Sequence, residues 1–211
     1  MGPRQTLRYI RKVYKLDYSK ESPFPINCGR FLEIPKLFSK LGLKRGAEVG
    51  VYRGRYSHDL LTKIEGLEHL TGVDAWELYK GYKDYDKIED IQDAHREASE
   101  TYKKFGDKAT LIQGWSTEVA KTIPDESLDF VFIDANHAYE YVVADIAAWA
   151  PKVRRGGIVY GHDFDDYSKH HKRWVFMNVV NAVEGWVKSN KIHPWFVLLG
   201  NRNKCWMYVK V

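Results

Sequence analysis

The feature that most constrains the fold of this chain is a strand–helix–strand pattern over residues 129–164. The apolar run FVFI ends at Asp134, and the run in GGIVYGHD ends at Asp163. Apolar residues recur between them at three- and four-residue steps, which predicts a helix. A crossover helix brings the carboxyl ends of parallel strands to one sheet edge, where open α/β sheets bind ligands. We therefore expect the two aspartates to converge, with His137 and His162 beside them.

The whole chain alternates between strand-like and helix-like segments through five cycles. This alternation predicts an α/β fold, a Rossmann-like, doubly wound and mostly parallel sheet with helices on both faces. The last two β-rich runs, HPWFVLLG and KCWMYVKV, flank the turn NRN and predict an antiparallel pair at the sheet edge. A length of 211 residues with 44% hydrophobic residues suits one domain with its own core. We assign residues 28–211 to that domain.

Residues 1–27 are predicted to form a basic N-terminal arm. Residues 1–45 hold eleven Lys or Arg and three Asp or Glu, a net +8; the whole chain carries +5, so the remainder carries −3. Such a segment binds nucleic acid, an anionic membrane or an acidic partner, or is simply a solvated helix face. The prolines of SPFPINCG disfavour a helix there. Because the arm has apolar residues, we expect it to cover the active-site mouth or pack on a second subunit.

The chain shows no signs of export or membrane insertion. Cys28 and Cys205 have neither metal-ligand spacing nor a disulfide framework. The N-terminus lacks the apolar run of a signal peptide, and no segment approaches the ~18 apolar residues of a spanning helix. We expect a soluble, cytoplasmic protein that does not associate with membranes.

A glycine-containing turn, EVGVYRGRYS, follows the first predicted strand of the domain. Gly50 and Gly54 allow a ligand to approach the backbone, and helix amides near Ser57 can receive a carboxylate. Asp74 ends the next strand, where a carboxylate can accept both hydroxyls of a ribose. Tyr52 replaces the second glycine of the dinucleotide fingerprint, so we expect a nucleoside without a buried pyrophosphate. The alternative is a glycine-rich turn with a purely structural role.

These residues resemble the class I S-adenosylmethionine-dependent methyltransferases, and especially the group that includes natural-product and sugar O-methyltransferases. EVGVYRGRYS resembles their first motif, and FIDANHAYEYVVADIAAWAPKVRRGGIVYGHDF resembles their long second signature, which is the more specific part. The likeness covers roughly residues 44–200. It implies that S-adenosylmethionine is the cofactor. The implied cofactor-binding residues are Glu48, Gly50, Tyr52, Gly54, Ser57, Asp74, Ala75, Trp76, Trp115, Ser116 and Asp134.

The resemblance also assigns roles within the site. It places Glu48 and Gly50 at the methionine end of the cofactor, Asp74 at the ribose and Ser116 at the adenine. Asp134 and Asp163 fall where metal-dependent catechol-type enzymes place Mg²⁺ ligands. Those enzymes commonly have an Asp-Asn pair where this chain has His162-Asp163, and often a lysine where it has His137.

Methyl transfer from a sulfonium requires an aligned acceptor and removal of its proton. Mg²⁺ or Mn²⁺ held by Asp134, His162 and Asp163 would lower the pKa of an acceptor hydroxyl and relieve the repulsion between two close carboxylates. His137 is the predicted base, and His162 is a ligand or orients one. Simpler interpretations exist: Asp134 as a helix cap, the histidines as buried hydrogen-bonded groups, and Asp163 as part of a solvated acidic loop.

The leading hypothesis is metal-assisted O-methylation of a small hydroxylated molecule such as a sugar or natural product. One alternative is a non-catalytic nucleoside-binding module or scaffold. Another is a nucleic-acid methyltransferase, which the basic N-terminus favours but the sequence IDAN, in place of an NPPY-type tetrapeptide, does not. We expect no nucleic-acid partner and a homo-oligomer formed through the arm. Two local features stay open: an aromatic lid (Trp76, Tyr79, Tyr82, Tyr85) and a surface histidine pair (His170, His171).

Overall fold

The structure is a computed structural model that describes residues 1–79, 87–165, 177–200 and 202–211; Tyr82, Tyr85, His170 and His171 lie outside these ranges. An eight-stranded sheet runs through the molecule in the spatial order β1-β7-β8-β6-β5-β2-β3-β4. Its strands are β1 (Phe24–Ile26), β2 (Arg45–Val49), β3 (His69–Asp74), β4 (Ala109–Gln113), β5 (Leu128–Ile133), β6 (Val153–Gly161), β7 (Trp195–Leu198) and β8 (Cys205–Val209). The helices are α1 (Pro3–Tyr14), α2 (Glu33–Leu41), α3 (Arg55–Lys63), α4 (Ile88–Lys103), α5 (Ser116–Ala120), α6 (Tyr139–Trp149) and α7 (Val179–Ser189).

The predicted doubly wound sheet is confirmed. Strands β4, β3, β2, β5 and β6 are parallel neighbours, so their carboxyl ends share one edge. The chain moves outward from β2 through β3 and β4, and then through β5 and β6 on the other side. A crevice therefore opens between the β2 and β5 ends, at the point where the winding reverses. The predicted antiparallel pair β7–β8 is also confirmed, and β1 adds to its outer side in parallel to β7.

Helices cover both faces of the sheet because each presents an apolar stripe to it. On one face, Phe38 of α2 packs against Phe130 of β5 with ring centroids 4.8 Å apart. On the other face, Ile146 and Trp149 of α6 are fully buried. Helix α2 ends at Leu41, because Gly42 adopts a left-handed φ of 67° that caps the helix. None of the helices in the described ranges has the length and apolar content needed to span a bilayer.

The prediction that residues 1–27 precede the sheet as an arm is wrong. Pro3–Tyr14 form helix α1, and Phe24–Ile26 form a strand of the sheet itself. Ile10 is fully buried, so α1 belongs to the core packing. Proline disfavours a helix only near its own position, so Pro23 and Pro25 do not prevent the earlier helix α1. Pro25 is tolerated in β1 because this strand lies at the edge of the sheet and one of its sides has no neighbouring strand.

Helix α1 begins at the sheet edge opposite the crevice. The Thr6 hydroxyl donates to the carbonyl of Gly156 at the start of β6 (2.9 Å), and Arg154 donates to the carbonyl of Met1 (2.7 Å). Asp163 follows the far end of the same strand. The expectation that the arm covers the active-site mouth is therefore wrong for this helix.

Replacing Thr6 with valine is expected to lower the free energy of unfolding by about 1–2 kcal/mol, because a buried carbonyl loses its donor while the side-chain volume is kept. Urea unfolding followed by circular dichroism measures the change. Thr62→Val is the matched control, since Thr62 is also helical but exposed. Equal effects of the two substitutions would show that the contact between α1 and β6 adds nothing specific.

Candidate functional site

A cavity of about 620 Å³ lies over the crevice at the carboxyl edge of the sheet. Most of the residues predicted for the cofactor and the chemistry line it. They are Glu48, Gly50, Tyr52, Asp74, Ala75, Trp76, Trp115, Ser116, Asp134, His137, His162 and Asp163. Gly54 and Ser57 do not. The volume is in the range of small-molecule sites in proteins.

The carboxylate of Asp74 sits at the carboxyl end of β3 and organises the turn beside it. It accepts hydrogen bonds from the backbone N–H groups of Tyr52 (2.9 Å) and Trp76 (3.0 Å). Both of those residues adopt left-handed φ values, 51° and 44°, which non-glycine residues rarely do. Burial raises the pKa of Asp74, and these amides oppose the shift. Asp74 also lines the cavity, where a ligand hydroxyl can reach its carboxylate.

The backbone conformation and packing at position 50 require glycine, whether or not a ligand is bound. Its φ is +90°, and a Cβ at this position would stand 2.0 Å from the carbonyl oxygen of Asp134. Gly54 likewise serves packing: its φ is +72°, and a Cβ would stand 3.1 Å from Ala98 of α4. The cofactor contact of Gly54 stays a prediction, and the close approach seen at this glycine is to a neighbouring helix.

Glu48 and Ser57 form a buried polar pair beneath the cavity. The Ser57 hydroxyl donates to Glu48 and accepts from the Tyr102 hydroxyl (3.0 Å). Ser57 is fully buried and does not line the cavity, whereas Arg55 and Tyr56 at the same helix start do, so the contact of these helix amides with a ligand stays a prediction. Burial raises the pKa of Glu48 to about 8; Ser57 opposes this shift and Asp134 adds to it. Glu48 is therefore largely protonated at neutral pH.

Trp76 and Trp115 line the cavity near the ends of β3 and β4 and differ in their exposure. Trp76 is buried; its indole N–H donates to the carbonyl of Tyr52 (2.9 Å), and its ring stacks on His95 at 4.4 Å. It therefore fixes the glycine turn as well as lining the wall. Trp115 is 39% exposed and meets Tyr79 edge-on at 4.7 Å. This contact places Tyr79 at the cavity, in agreement with one part of the expected aromatic lid.

The two aspartates and two histidines converge as predicted. His137 Nε2 lies 3.0 Å from Asp163 Oδ2 and 3.4 Å from Asp134 Oδ1. His162 Nδ1 lies 3.1 Å from Asp163 Oδ2 and 3.6 Å from Asp134 Oδ2. One ligand atom each from Asp134, His162 and Asp163 fall within 4.8 Å of one another. Asp163 has a left-handed φ of 53° and accepts from the Asn203 amide (2.9 Å).

Arg30 is a member of this cluster that the sequence did not reveal. Its guanidinium donates to Asp134 Oδ2 at 3.1 Å and lies over the rings of Phe31, Tyr56 and Phe132. The two residues of the ion pair are 104 positions apart, and a single arginine just before helix α2 carries no local signal of that contact. The expectation of two uncompensated carboxylates is therefore wrong, because Arg30 and His162 place positive charge beside them.

Mutual hydrogen bonds set the protonation of the cluster. Burial opposes the ionisation of Asp134 and Asp163, but hydrogen bonds from His137 and His162 outweigh it and hold both pKa values well below the usual range. Burial lowers the pKa of His162, yet the two carboxylates raise it to about 9. His162 is therefore a cation at neutral pH. Its contribution to folding is complete below pH 6.5 and is lost as the pH rises through about 9.

The fold and the cavity define a class I methyltransferase architecture, and sequence comparison agrees. Residues 47–164 match a family described as a methyltransferase domain, and this match covers more than half of the chain. The chain therefore belongs to that methyltransferase family, and the predicted enzyme class is confirmed at the level of the domain. The uncharacterized protein R132 of Acanthamoeba polyphaga mimivirus is 23% identical over 156 residues, 72% of this chain. The match spans 65% of that relative, just under two thirds of its length.

Solved structures share the fold at low identity. A putative caffeoyl-CoA O-methyltransferase from Staphylococcus aureus aligns with a TM-score of 0.63 and 18% identity, covering 97% of this chain and 91% of its own. An O-methyltransferase from Bacillus cereus in complex with SAH aligns at 0.61 and 14%, covering 98% and 90%. TomG from Streptomyces achromogenes, in complex with SAM, aligns at 0.60 and 13%, covering 84% and 78%. These likenesses confirm the predicted fold class.

Proposed function

We propose that this protein transfers the methyl group of S-adenosylmethionine to a hydroxyl oxygen of a small molecule. One observation carries the proposal: a cluster of two carboxylates and two imidazoles shares a cavity with the ribose-type carboxylate Asp74. A methyl donor bound at Asp74 and an acceptor bound at the cluster would meet over the crevice. The solved neighbours described as O-methyltransferases support the choice of oxygen as the acceptor atom.

The strand order separates the two halves of the reaction. Asp74 ends β3 and Ser116 follows β4, whereas Asp134 follows β5 and Asp163 follows β6. With about 4.8 Å between neighbouring strands, the β4 and β6 ends are roughly 19 Å apart. We therefore place the nucleoside over β3 and β4, the methionine part over β2 near Glu48, and the acceptor over β5 and β6.

His137 is the candidate base for the acceptor proton. Its Nε2 is held between Asp134 and Asp163, which stabilise the imidazolium that forms when it takes a proton. His162 already carries a proton at neutral pH and is the weaker candidate, so we propose it as a positioning group or a metal ligand. Asp134 is engaged by Arg30 and both histidines, so its proposed role is to orient them.

The donor atoms of Asp134, His162 and Asp163 fit a divalent cation. Two carboxylates with one imidazole suit Mn²⁺, and Mg²⁺ would favour the oxygens. When bound, such an ion would lower the pKa of an acceptor hydroxyl. His162 must release its proton to become a ligand, and Arg30 must share Asp134. Ion affinity is therefore expected to rise as the pH approaches 9.

A non-catalytic module is the competing function, and the assay below separates it from an enzyme by turnover. Nucleic acid is not the proposed acceptor, because the polar cluster lies within the cavity and the basic helix α1 begins at the opposite sheet edge. Assembly through the N-terminal segment and a cytoplasmic location stay predictions.

The proposed function is tested with methyl-labelled S-adenosylmethionine and a panel of sugars, catechols and amines. We expect label on hydroxyl oxygen, loss of transfer in excess chelator, and recovery with Mg²⁺ or Mn²⁺. Calorimetry should show that chelation leaves cofactor binding largely intact. Asp163→Ala should behave like the chelated enzyme, and Asp125→Asn, an exposed acid outside the cavity, should behave like wild type.

Each contrary result has a defined meaning. Full activity in excess chelator would remove the metal from the mechanism and leave Arg30 and the histidines to act alone. Label found on amines and absent from hydroxyls would contradict O-methylation. Cofactor binding without turnover on any acceptor class would favour the non-catalytic module.

A further inference from the structure

We infer that Tyr79 positions the candidate base His137 through the side chain of Asn136. This inference rests on the proposed function, because it names a positioning residue for the removal of the acceptor proton. In the sequence, Tyr79 is predicted only as part of an aromatic lid, and Asn136 has no predicted role.

A side-chain bridge joins two loops in the wall of the cavity. Tyr79 belongs to the loop after β3, Asn136 belongs to the loop between β5 and α6, and both line the cavity. Nδ2 of Asn136 donates a hydrogen bond to the Tyr79 hydroxyl, between residues 57 positions apart. The bridge therefore connects the end of the strand that carries Asp74 with the loop that carries His137.

The other end of the Asn136 side chain forms a turn around His137. Its Oδ1 accepts from the backbone N–H of Ala138 (2.9 Å), so the side chain spans the main chain of the base. The carbonyl of His137 accepts in turn from the backbone N–H of Asn178 (2.8 Å). The main chain of His137 is thus held at two points, and its imidazole lies between two carboxylates. Movement of the Asn136 side chain would move the imidazole with it.

The ring of Tyr79 is anchored independently of its hydroxyl. Its centroid lies 4.7 Å from that of Trp115 and 5.9 Å from that of Tyr141. These ring contacts make the hydroxyl a fixed point for Asn136. Removal of the hydroxyl alone therefore leaves the ring in the cavity wall and takes one of two anchors from the Asn136 side chain.

Proton removal depends steeply on where the base lies. Its nitrogen must come within ~2.6–3.2 Å of the acceptor hydroxyl, and a displacement of about 1 Å can lower the rate on the order of 10²-fold. Cofactor affinity does not depend on that distance. The Tyr79 hydroxyl should therefore affect the rate of methyl transfer and leave the binding of S-adenosylhomocysteine unchanged.

The rate is measured by single-turnover methyl transfer to the hydroxyl compound that wild type methylates fastest in the panel of sugars and catechols. Calorimetry measures the affinity for S-adenosylhomocysteine. Tyr79→Phe is expected to lower the rate by about three- to tenfold and to change the affinity by less than about twofold. Tyr139→Phe makes the same chemical change on an exposed residue of α6 outside the cavity and should keep both wild-type values.

A double-mutant cycle tests whether Tyr79 acts through Asn136. Asn136→Ala loses both hydrogen bonds and should lower the rate by roughly ten- to a hundredfold. Adding Tyr79→Phe to Asn136→Ala should cause no further loss, because the hydroxyl then has no amide to hold. If the melting temperature shows that Asn136→Ala does not fold, Tyr79→Phe against Tyr139→Phe still decides by rate and affinity.

Three results would overturn the inference: an unchanged rate in Tyr79→Phe, a loss of affinity in place of rate, or losses that multiply in the double variant. In each case wild type still transfers methyl, so the proposed function stands. If wild type methylates no compound of the panel, the proposed function and this inference fail together.

Discussion

Replacing His137 with alanine is expected to lower the turnover rate by about 10²–10⁴-fold while cofactor affinity changes little. The imidazole lies between Asp134 and Asp163, so it is placed to take the acceptor proton and to hold the positive charge that results. The nucleoside end of the cavity is built by other strands and should be unaffected. Single-turnover transfer of labelled methyl measures the rate, and calorimetry with S-adenosylhomocysteine measures affinity.

His58→Ala is the control for this substitution, because His58 is an exposed residue of α3 that does not line the cavity. It should keep full turnover. Near-normal turnover in His137→Ala would assign proton removal to another group, with His162 or a bound ion as the next candidates. A parallel loss of cofactor affinity would instead show that His137 acts by supporting the cavity.

Replacing Gly50 with alanine is expected to destabilise the fold by more than about 3 kcal/mol, enough to leave little native protein. The added methyl group would meet the Asp134 carbonyl oxygen at 2.0 Å, and both partners are backbone atoms at strand ends that cannot turn aside. The φ of +90° adds strain for any residue with a Cβ. Urea unfolding measures the loss.

Gly42→Ala separates the two contributions. Gly42 has a similar left-handed φ of 67°, but a Cβ there would meet nothing within 4 Å. Its cost should be only the conformational penalty of about 1–2 kcal/mol. Similar values for the two variants would mean that the strands at the crevice separate easily, and that Gly50 is needed for its φ alone.

The N-terminal segment folds differently from what its local sequence predicts. The segment ending in SPFPINCG contains prolines, and their local preference correctly disfavours helix around Pro23 and Pro25. It does not reach Pro3–Tyr14, which form α1 through contacts with β6 far away in the chain. Gly54 and Ser57 fit a nucleoside motif by spacing. In the structure they serve the packing of α3 on α4 and a hydrogen bond to Glu48.

Local patterns in the sequence were enough to predict the mostly parallel, doubly wound sheet and the convergence of Asp134, His137, His162 and Asp163. This was possible because the spacing of apolar residues identifies the helices and strands. A crossover helix between parallel strands then brings the carboxyl ends of consecutive strands to the same edge of the sheet. The family resemblance, which rests on two short sequence motifs, predicted S-adenosylmethionine as the cofactor.

The charges around that cluster, and the hydrogen bond between Ser116 and the buried Asp145, depend on tertiary contacts. Arg30 reaches Asp134 from 104 residues away, and Asp145 meets Ser116 from the next helix. Such contacts depend on how helices and loops pack against the sheet, and the spacing of residues along the sequence does not predict that packing. The protonation of His162 and Asp145 follows from the same cause, since burial and neighbouring charges set a pKa and both arise only when distant segments pack together.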